Sequence, residues 1–553
     1  MTRFHVCVLL LLVACPAPQR PRPPADVVYT FAHQGEWLEV AIDLDGAATG
    51  ASVFDLGEPW GGVQHPEEQV RDVRARIDEG PAVTVEHYAN SAEWTVHHPP
   101  GARIHVIYEL APAEHATASG SEPFHRPIIQ PHIIQVIGNT GILRPRYLAD
   151  TKHAIAVRWK PMAGWTTVSS YGDAAEVVTT STFEEFRDAV FLASDRLHLV
   201  RRAINGTTLV VAIVNDFGFG DAALADLAAK IVTAQRAFFA ESGPPFFLIT
   251  AIPLGESSAA HAQYGGTGLT NSFAVFMSPK FADTQAVAWL LGHELFHSWN
   301  GRVIQPDPPE ELMYWFSEGF TNFYARRLLY RAGIVDLEAY VKQLDDELAQ
   351  YFLTSVRDEP NAAIREGFWK SHDLERLPYQ RGDVLALILD RALVAHGSSL
   401  DALMKALVEE GRAGRTVSVE KLLTRIATAT TPETAALLQR TIVDGATLAI
   451  DPQLLAPCLT GATRSVGRFE LGFDFVASQA TKRVSGVVPG SRAAAAGLRD
   501  GDPIIGWSIT YGQPEKPIEL QVGGRTISYL PQGDPIDVPV FAVADASACA
   551  KIL

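Results

Sequence analysis

Residues 290–300, LLGHELFHSWN, place two histidines four positions apart in an apolar run, with a glutamate directly after the first. The wider stretch AVAWLLGHELFHSWN has apolar residues at spacings near three and four and reads as a helix. On a helix His293 and His297 face the same way, so both imidazoles can reach one ion. Glu294 then sits about a sixth of a turn from His297, close enough to act on a water at that ion. Two surface histidines flanking a helical turn would give the same five residues, so the pattern calls for a third ligand.

WFSEGFTNFY supplies one, because Glu318 starts a second amphipathic helix soon after the first ends. Structural zinc sites are closed by four protein ligands, whereas catalytic ones take three and keep a position for water. His293, His297 and Glu318 make three, around one zinc ion. A carboxylate at a helix start is also favoured by the helix dipole alone, but its spacing after the histidines favours a ligand. A further helix opens with LPYQRGDVLALILD, where the phenol of Tyr379 could reach a developing oxyanion rather than merely cap a helical core. Asn322, one turn after Glu318, faces the same side and could hydrogen-bond a metal ligand. A polar residue facing solvent is the expected reading.

At 553 residues the chain is too long for one ordinary core, and roughly three or four domains are expected. Hydrophobic residues at 47% and charged residues at 20% are those of globular protein. With 46 lysines and arginines against 63 aspartates and glutamates, the net charge of −17 argues against nucleic acid as a partner.

From Val27 to about Pro112, short alternating runs such as WLEVAIDL and RIHVIYEL lie between Gly, Pro and Asp turns, the pattern of an antiparallel β domain. Strands and helices then mix, and from about Ala286 helical periodicity dominates. After about Gly461 short strands return. The fold class expected is multidomain α+β: a β domain over 27–155, a catalytic domain with a helical lobe over 156–455, and a small β domain over 461–545. The order of pieces in that last segment resembles a PDZ domain, a fold in which an exposed strand edge and the loop before it accept an extended peptide. The loop ELGF would place the amides of Leu471, Gly472 and Phe473 around the carboxylate of a peptide's C-terminus. A purely structural module packed on the catalytic domain is the other reading.

Taken together, the metal helix, SEGFTNFY, PYQRG and the PDZ-like segment resemble the glycyl aminopeptidase family of gluzincin metallopeptidases. The resemblance implies a thermolysin-like catalytic domain between the two β domains. It also implies His293, His297 and Glu318 as zinc ligands, Glu294 as general base and Tyr379 as oxyanion donor. Arg381 stands where that family has a lysine, while Trp299 and Asn300 fit the motif's continuation. One departure bears on specificity. The family carries a Gly-Leu-Glu-His stretch on the strand lining the cleft, whose glutamate binds a substrate's free amino group. The corresponding segment here is YGGTGLTNSFAVFM, in which Gly265, Gly266 and Thr270 would contact substrate, with Thr270 and Asn271 in place of Glu and His. Threonine cannot supply the negative charge that anchors an ammonium. Glu256 is the only acidic residue between Pro253 and Asp283.

Residues 1–15, MTRFHVCVLLLLVAC, carry Arg3 and then an apolar run too short to span a bilayer, which reads as an export signal. Leu12 to Cys15 resemble a bacterial lipobox, which implies an acylated Cys15 and a lipid anchor facing the periplasm of a bacterial envelope. An ordinary cleaved signal or an uncleaved anchor is the alternative. The prolines within residues 16–26 make a stiff tether. In an oxidising envelope Cys458 and Cys549 could pair, although two unrelated thiols fit the sequence as well.

The expected function is therefore zinc-dependent hydrolysis of peptide bonds, with a peptide or protein substrate. The alternative is an envelope scaffold lipoprotein whose PDZ-like segment binds peptides and whose peptidase site is degenerate.

Overall fold

Alternation of buried and half-buried residues along strands such as Arg103–Leu110 gives the N-terminal part of the chain its layered β structure. The computed structural model describes residues 25–89, 91–112, 122–149, 151–254, 264–279 and 282–553. The export signal, Cys15, most of the proline-rich tether and Glu256 lie outside them.

Two compact units make up the chain, Met1–Leu197 and His198–Leu553. In the first, Val27–His33 pairs antiparallel with Leu38–Asp45 and parallel with His153–Trp159, within a seven-stranded sheet that ends on Glu176–Ser181. Two four-stranded sheets complete the unit. The β domain expected over 27–155 thus extends about forty residues further, and residues 156–197 belong with it rather than with the metal-site unit. The parallel pairing of Val27 with Ile155 spans more than a hundred residues, and no local pattern reports such a partner.

The second unit opens on a five-stranded sheet in the order Leu197–Ile204, Thr207–Val214, Phe246–Pro253, Ser272–Met277, Tyr264–Leu269. Its three middle strands are parallel, and Thr207–Val214 and Ser272–Met277 are buried almost throughout, as strands covered on both faces must be. The crossover between Thr207–Val214 and Phe246–Pro253 is made by helix α1, Asp221–Phe238. Tyr264–Leu269 pairs antiparallel with Ser272–Met277 and is the outermost strand of this sheet among the described residues.

Helices α2 (Thr284–Phe296), α3 (Gly319–Arg331), α4 (Leu337–Leu353) and α5 (His372–Ala395) follow. One continuous apolar core joins this sheet to the helices and reaches Leu459, Val538 and Phe541 near the C-terminus. The strands Leu459–Phe469 and Gln532–Val543 pair with each other and lie on α4, where the Phe541 amide donates to Asp345 at 2.8 Å. Cys458 and Cys549 are buried and form a disulfide, which resolves the two readings left open by the sequence.

Between those strands sits a small module with its own core, built on a three-stranded sheet, Ile504–Ser508, Ile518–Val522 and Arg525–Tyr529. The PDZ-like expectation meets a difference here. The loop of Leu471, Gly472 and Phe473 leads into a helix, α6 (Phe475–Thr481), and not into an open strand edge. Asp474 caps α6 through the Ala477 amide, and Phe475 is buried against Phe473 and Trp507. Strand addition after this loop therefore has no edge to use. The carbonyls of Leu471 and Gly472 accept from the Tyr529 hydroxyl and the Val488 amide.

Candidate metal centre

Asp283 starts α2 by accepting hydrogen bonds from the amides of Gln285 and Ala286. Val287, Leu291, Leu295 and Phe296 bury the helix in the core, which fixes the direction in which its last turn points. His293 lies in that turn and His297 at its C-terminal cap. Glu318 sits at the junction of the short helix Tyr314–Ser317 and α3. Nε2 of His293 and Nε2 of His297 are 3.1 Å apart, and Oε2 of Glu318 is 3.3 Å from the first and 3.2 Å from the second.

That near-equilateral triangle fits a zinc ion. Tetrahedral coordination at 2.0–2.1 Å separates ligand atoms by about 3.3 Å. The chemistry of the donors agrees. Nδ1–H of His293 donates to Oδ1 of Asn322 at 2.7 Å, and Nδ1–H of His297 donates to the Asn300 carbonyl at 2.9 Å. Both Nε2 lone pairs then face each other, an arrangement that a shared cation stabilises.

Asn322 is buried, 5% exposed, and bonded to His293, one of the candidate ligands. The expectation that it faces solvent is thus corrected: α3 packs against α2 and turns that side inward. Asn300, fully buried, donates through Nδ2 to the carbonyls of Phe316 and Ser317 and to Oγ1 of Thr321. It ties the turn after His297 to the segment that presents Glu318. Trp299 is held in turn by Glu241, its Nε1–H donating at 2.8 Å.

Glu294 is half-buried and accepts from the Gly268 amide on the edge strand. Burial raises its pKa above the ordinary carboxylate value, outweighing the nearby imidazoles. Burial opposes a charge on His297, yet the Glu318 carboxylate beside it carries it up to about 9. Burial likewise opposes ionisation of Glu318, and the charge and hydrogen bonds of the two histidines overcome it and hold that carboxyl well below its usual range.

Tyr379 reaches the same centre from α5, its ring centroid 6.0 Å from that of His293. Burial and the charges of Glu318 and Glu294 push its phenol well above the ordinary value, so it remains an O–H donor. Its position depends on a close helix crossing. A Cβ on Gly382 would lie 1.8 Å from the Trp315 carbonyl, and one on Gly319 would lie 2.3 Å from the Gly382 Cα. Glycine at both positions brings α5 down onto the Glu318 segment. Arg381 points away from the centre and donates to the carbonyls of Arg357 and Glu359.

The edge strand carries Gly265 and Gly266, with Thr270 and Asn271 in the turn that follows it. A side chain at Gly265 would enter open space, whereas Gly266 packs on Phe273. The structure thus brings His293, His297, Glu318, Glu294 and Tyr379 together and sets the strand beside Glu294. Two residues beyond the sequence reading also belong to this region. Arg302 donates to the Gly268 carbonyl at 2.7 Å, and Arg376 lies with its guanidinium carbon 5.8 Å from the Tyr379 ring centroid. Arg376 stands three residues before Tyr379, the spacing that puts two side chains on one helix face, and that was its available signal.

Residues 286–365 match the model of the M61 glycyl aminopeptidase family, a stretch that includes His293, Glu294, His297 and Glu318 and stops short of Tyr379. No curated protein has a matching sequence. Among solved structures, an aminopeptidase N family protein from Idiomarina loihiensis has a TM-score of 0.73 at 16% identity, covering 95% of this chain and 100% of that one. An M1 zinc metallopeptidase from Deinococcus radiodurans, in a mutant form bound to a Tyr-Ser-Ala substrate, has a TM-score of 0.51 at 17% identity, covering 77% of this chain and 94% of that one. The same enzyme without the substitution gives 0.50 at 16% identity, with the same coverage. These likenesses show the fold: a multidomain α+β chain with N-terminal β sheets and a helical region.

Proposed function

We propose that this chain is a zinc-dependent metallopeptidase that hydrolyses peptide bonds, with His293, His297 and Glu318 as the ligands of one ion. The observation that carries the reading is the triangle of two Nε2 atoms and one carboxylate oxygen, with Glu294 and Tyr379 both beside it. Three protein ligands are the number found at catalytic zinc. The family match over the same residues and the fold shared with peptidases support it. A bound zinc ion supplies Lewis acidity, polarising a carbonyl and making water easier to deprotonate.

The chain's own residues do the rest. Glu294, a carboxylate with a raised pKa, takes a proton from the attacking water and returns it to the leaving amine. Tyr379 donates its phenolic hydrogen to the oxyanion of the tetrahedral intermediate. The outermost strand Tyr264–Leu269 offers backbone groups to an extended substrate. Thr270 stands where a carboxylate would hold a free amino terminus, which favours cleavage that does not require one. In the same reading the protein is exported and acylated at Cys15; the mass of the mature N-terminus tests that step.

Glu294→Gln tests the catalytic assignment. It should abolish peptide hydrolysis while zinc content stays at one ion per chain. Retained hydrolysis would overturn the assignment, and a zinc-loaded wild type that cleaves nothing in a mixed peptide library would favour the scaffold alternative. Peptides with free and acetylated amino termini then separate the two specificities.

A further inference from the structure

One cation, Arg376, stands beside Tyr379 together with the carboxylates of Glu318 and Glu294. Arg376 is half-buried on the same face of α5 as Tyr379, its guanidinium 5.8 Å from the tyrosine ring. It makes one hydrogen bond, from Nη2 to Oε1 of Gln350 at 3.2 Å, and among the described residues it has no ion pair. A guanidinium carries five N–H donors in a planar fork. Among the described residues no buried polar atom lacking a partner is on Arg376, so those of its remaining donors that have no partner are exposed to solvent.

The obvious internal partner does not take them. Glu347, on α4 three residues before Gln350, is close enough for each charge to affect the other, yet its Oε2 is buried without a hydrogen bond and does not reach the guanidinium. A half-buried arginine kept next to catalytic groups without an ion-paired carboxylate is an open seat for one, because the desolvated fork gains most from a bidentate anion.

Building on the peptidase reading above, we propose that Arg376 binds a carboxylate of the peptide substrate beside Tyr379 and so makes an anionic group the specificity determinant. The carboxylate has two sources, the C-terminus of a short peptide or an acidic side chain within a longer one.

Matched peptides separate them: a free-acid series of three to six residues, the same series amidated, and amidated peptides carrying one glutamate at successive positions. Wild type should favour the free acids, or one register of the glutamate peptides, by on the order of tenfold in kcat/KM. Arg376→Gln should remove that preference through KM, and Arg376→Lys should restore part of it. If Arg376 only supports Tyr379, its replacement lowers kcat for all peptides alike and leaves the ratio unchanged, which overturns the proposal. Equal handling of all three sets by wild type also overturns it, without any variant having to fold. Calorimetric binding of the same peptides to Glu294→Gln protein keeps this test apart from the peptidase reading. Carboxylate-dependent binding with no turnover in wild type would leave the seat standing and remove the activity, and binding that ignores the carboxylate would do the reverse.

Discussion

Oδ1 of Asn322 accepts the Nδ1–H of His293 at 2.7 Å inside the protein, and this contact turns Nε2 of the imidazole toward His297 and Glu318, the other candidate metal ligands. Asn322→Ala should leave the three ligands in place and weaken zinc binding by about 10–100-fold, the usual cost of losing such a support. Competition against a zinc-binding dye measures it. Unchanged affinity would show that packing alone orients His293.

Thr270 offers a gain-of-function test. Thr270→Glu places a carboxylate at the turn after the edge strand and should raise the kcat/KM ratio of free over acetylated amino termini by roughly tenfold, the size of one charge-assisted hydrogen bond. A ratio that does not move would show that the turn does not meet the substrate's terminus.

Asp345 gives a pH dependence away from the metal. Burial lifts its carboxyl from 3.8 to about 6, against a smaller opposing effect of the Phe541 hydrogen bond. As pH rises from about 4 to 6 the unfolded chain releases this proton while the folded chain keeps it. Folding loses stability across that window, and the loss is complete above the folded value. Asp345→Asn keeps an acceptor for the Phe541 amide and has no proton to lose. Its thermal midpoint relative to wild type should therefore rise between pH 4 and pH 7. A difference independent of pH would remove Asp345 as the source.

The Cys458–Cys549 disulfide closes a loop with a sequence separation of 91 residues. In the chain-entropy account a loop of this length stabilises by about 4–5 kcal/mol. Cys458→Ser with Cys549→Ser should lower the denaturant midpoint, and adding reductant to wild type should do the same. Identical midpoints would mean that the core around Leu459 and Val538 holds the C-terminal strands unaided.

How much of this was legible in the sequence follows from the range of each interaction. Helical geometry fixes where residues four apart point, so His293, His297 and Glu294 could be placed from spacing alone. Glu318 was recognisable because a catalytic site needs a third ligand and a second helix starts there. The separation into a β-rich start and a helical later part was also visible, because periods of two and near 3.6 are local properties.

Other features depend on which surfaces meet. Asn322 was read as facing solvent because its own helix gives no sign that α2 covers it. The parallel partner of Val27 lies at Ile155, so the first unit continues past the point where local texture changes. The loop at Leu471 resembles one that feeds a strand, but Phe475 finds its burial against Trp507 as part of a helix. Sequence by itself placed the candidate ligands His293 and His297 on one face with Glu294 beside them, since a helical turn is set by its own few residues. Only the tertiary structure decided the orientation of the candidate ligands, the cysteine pairing and the hydrogen bond of Arg376 to Gln350, since each depends on packing between segments far apart in the chain.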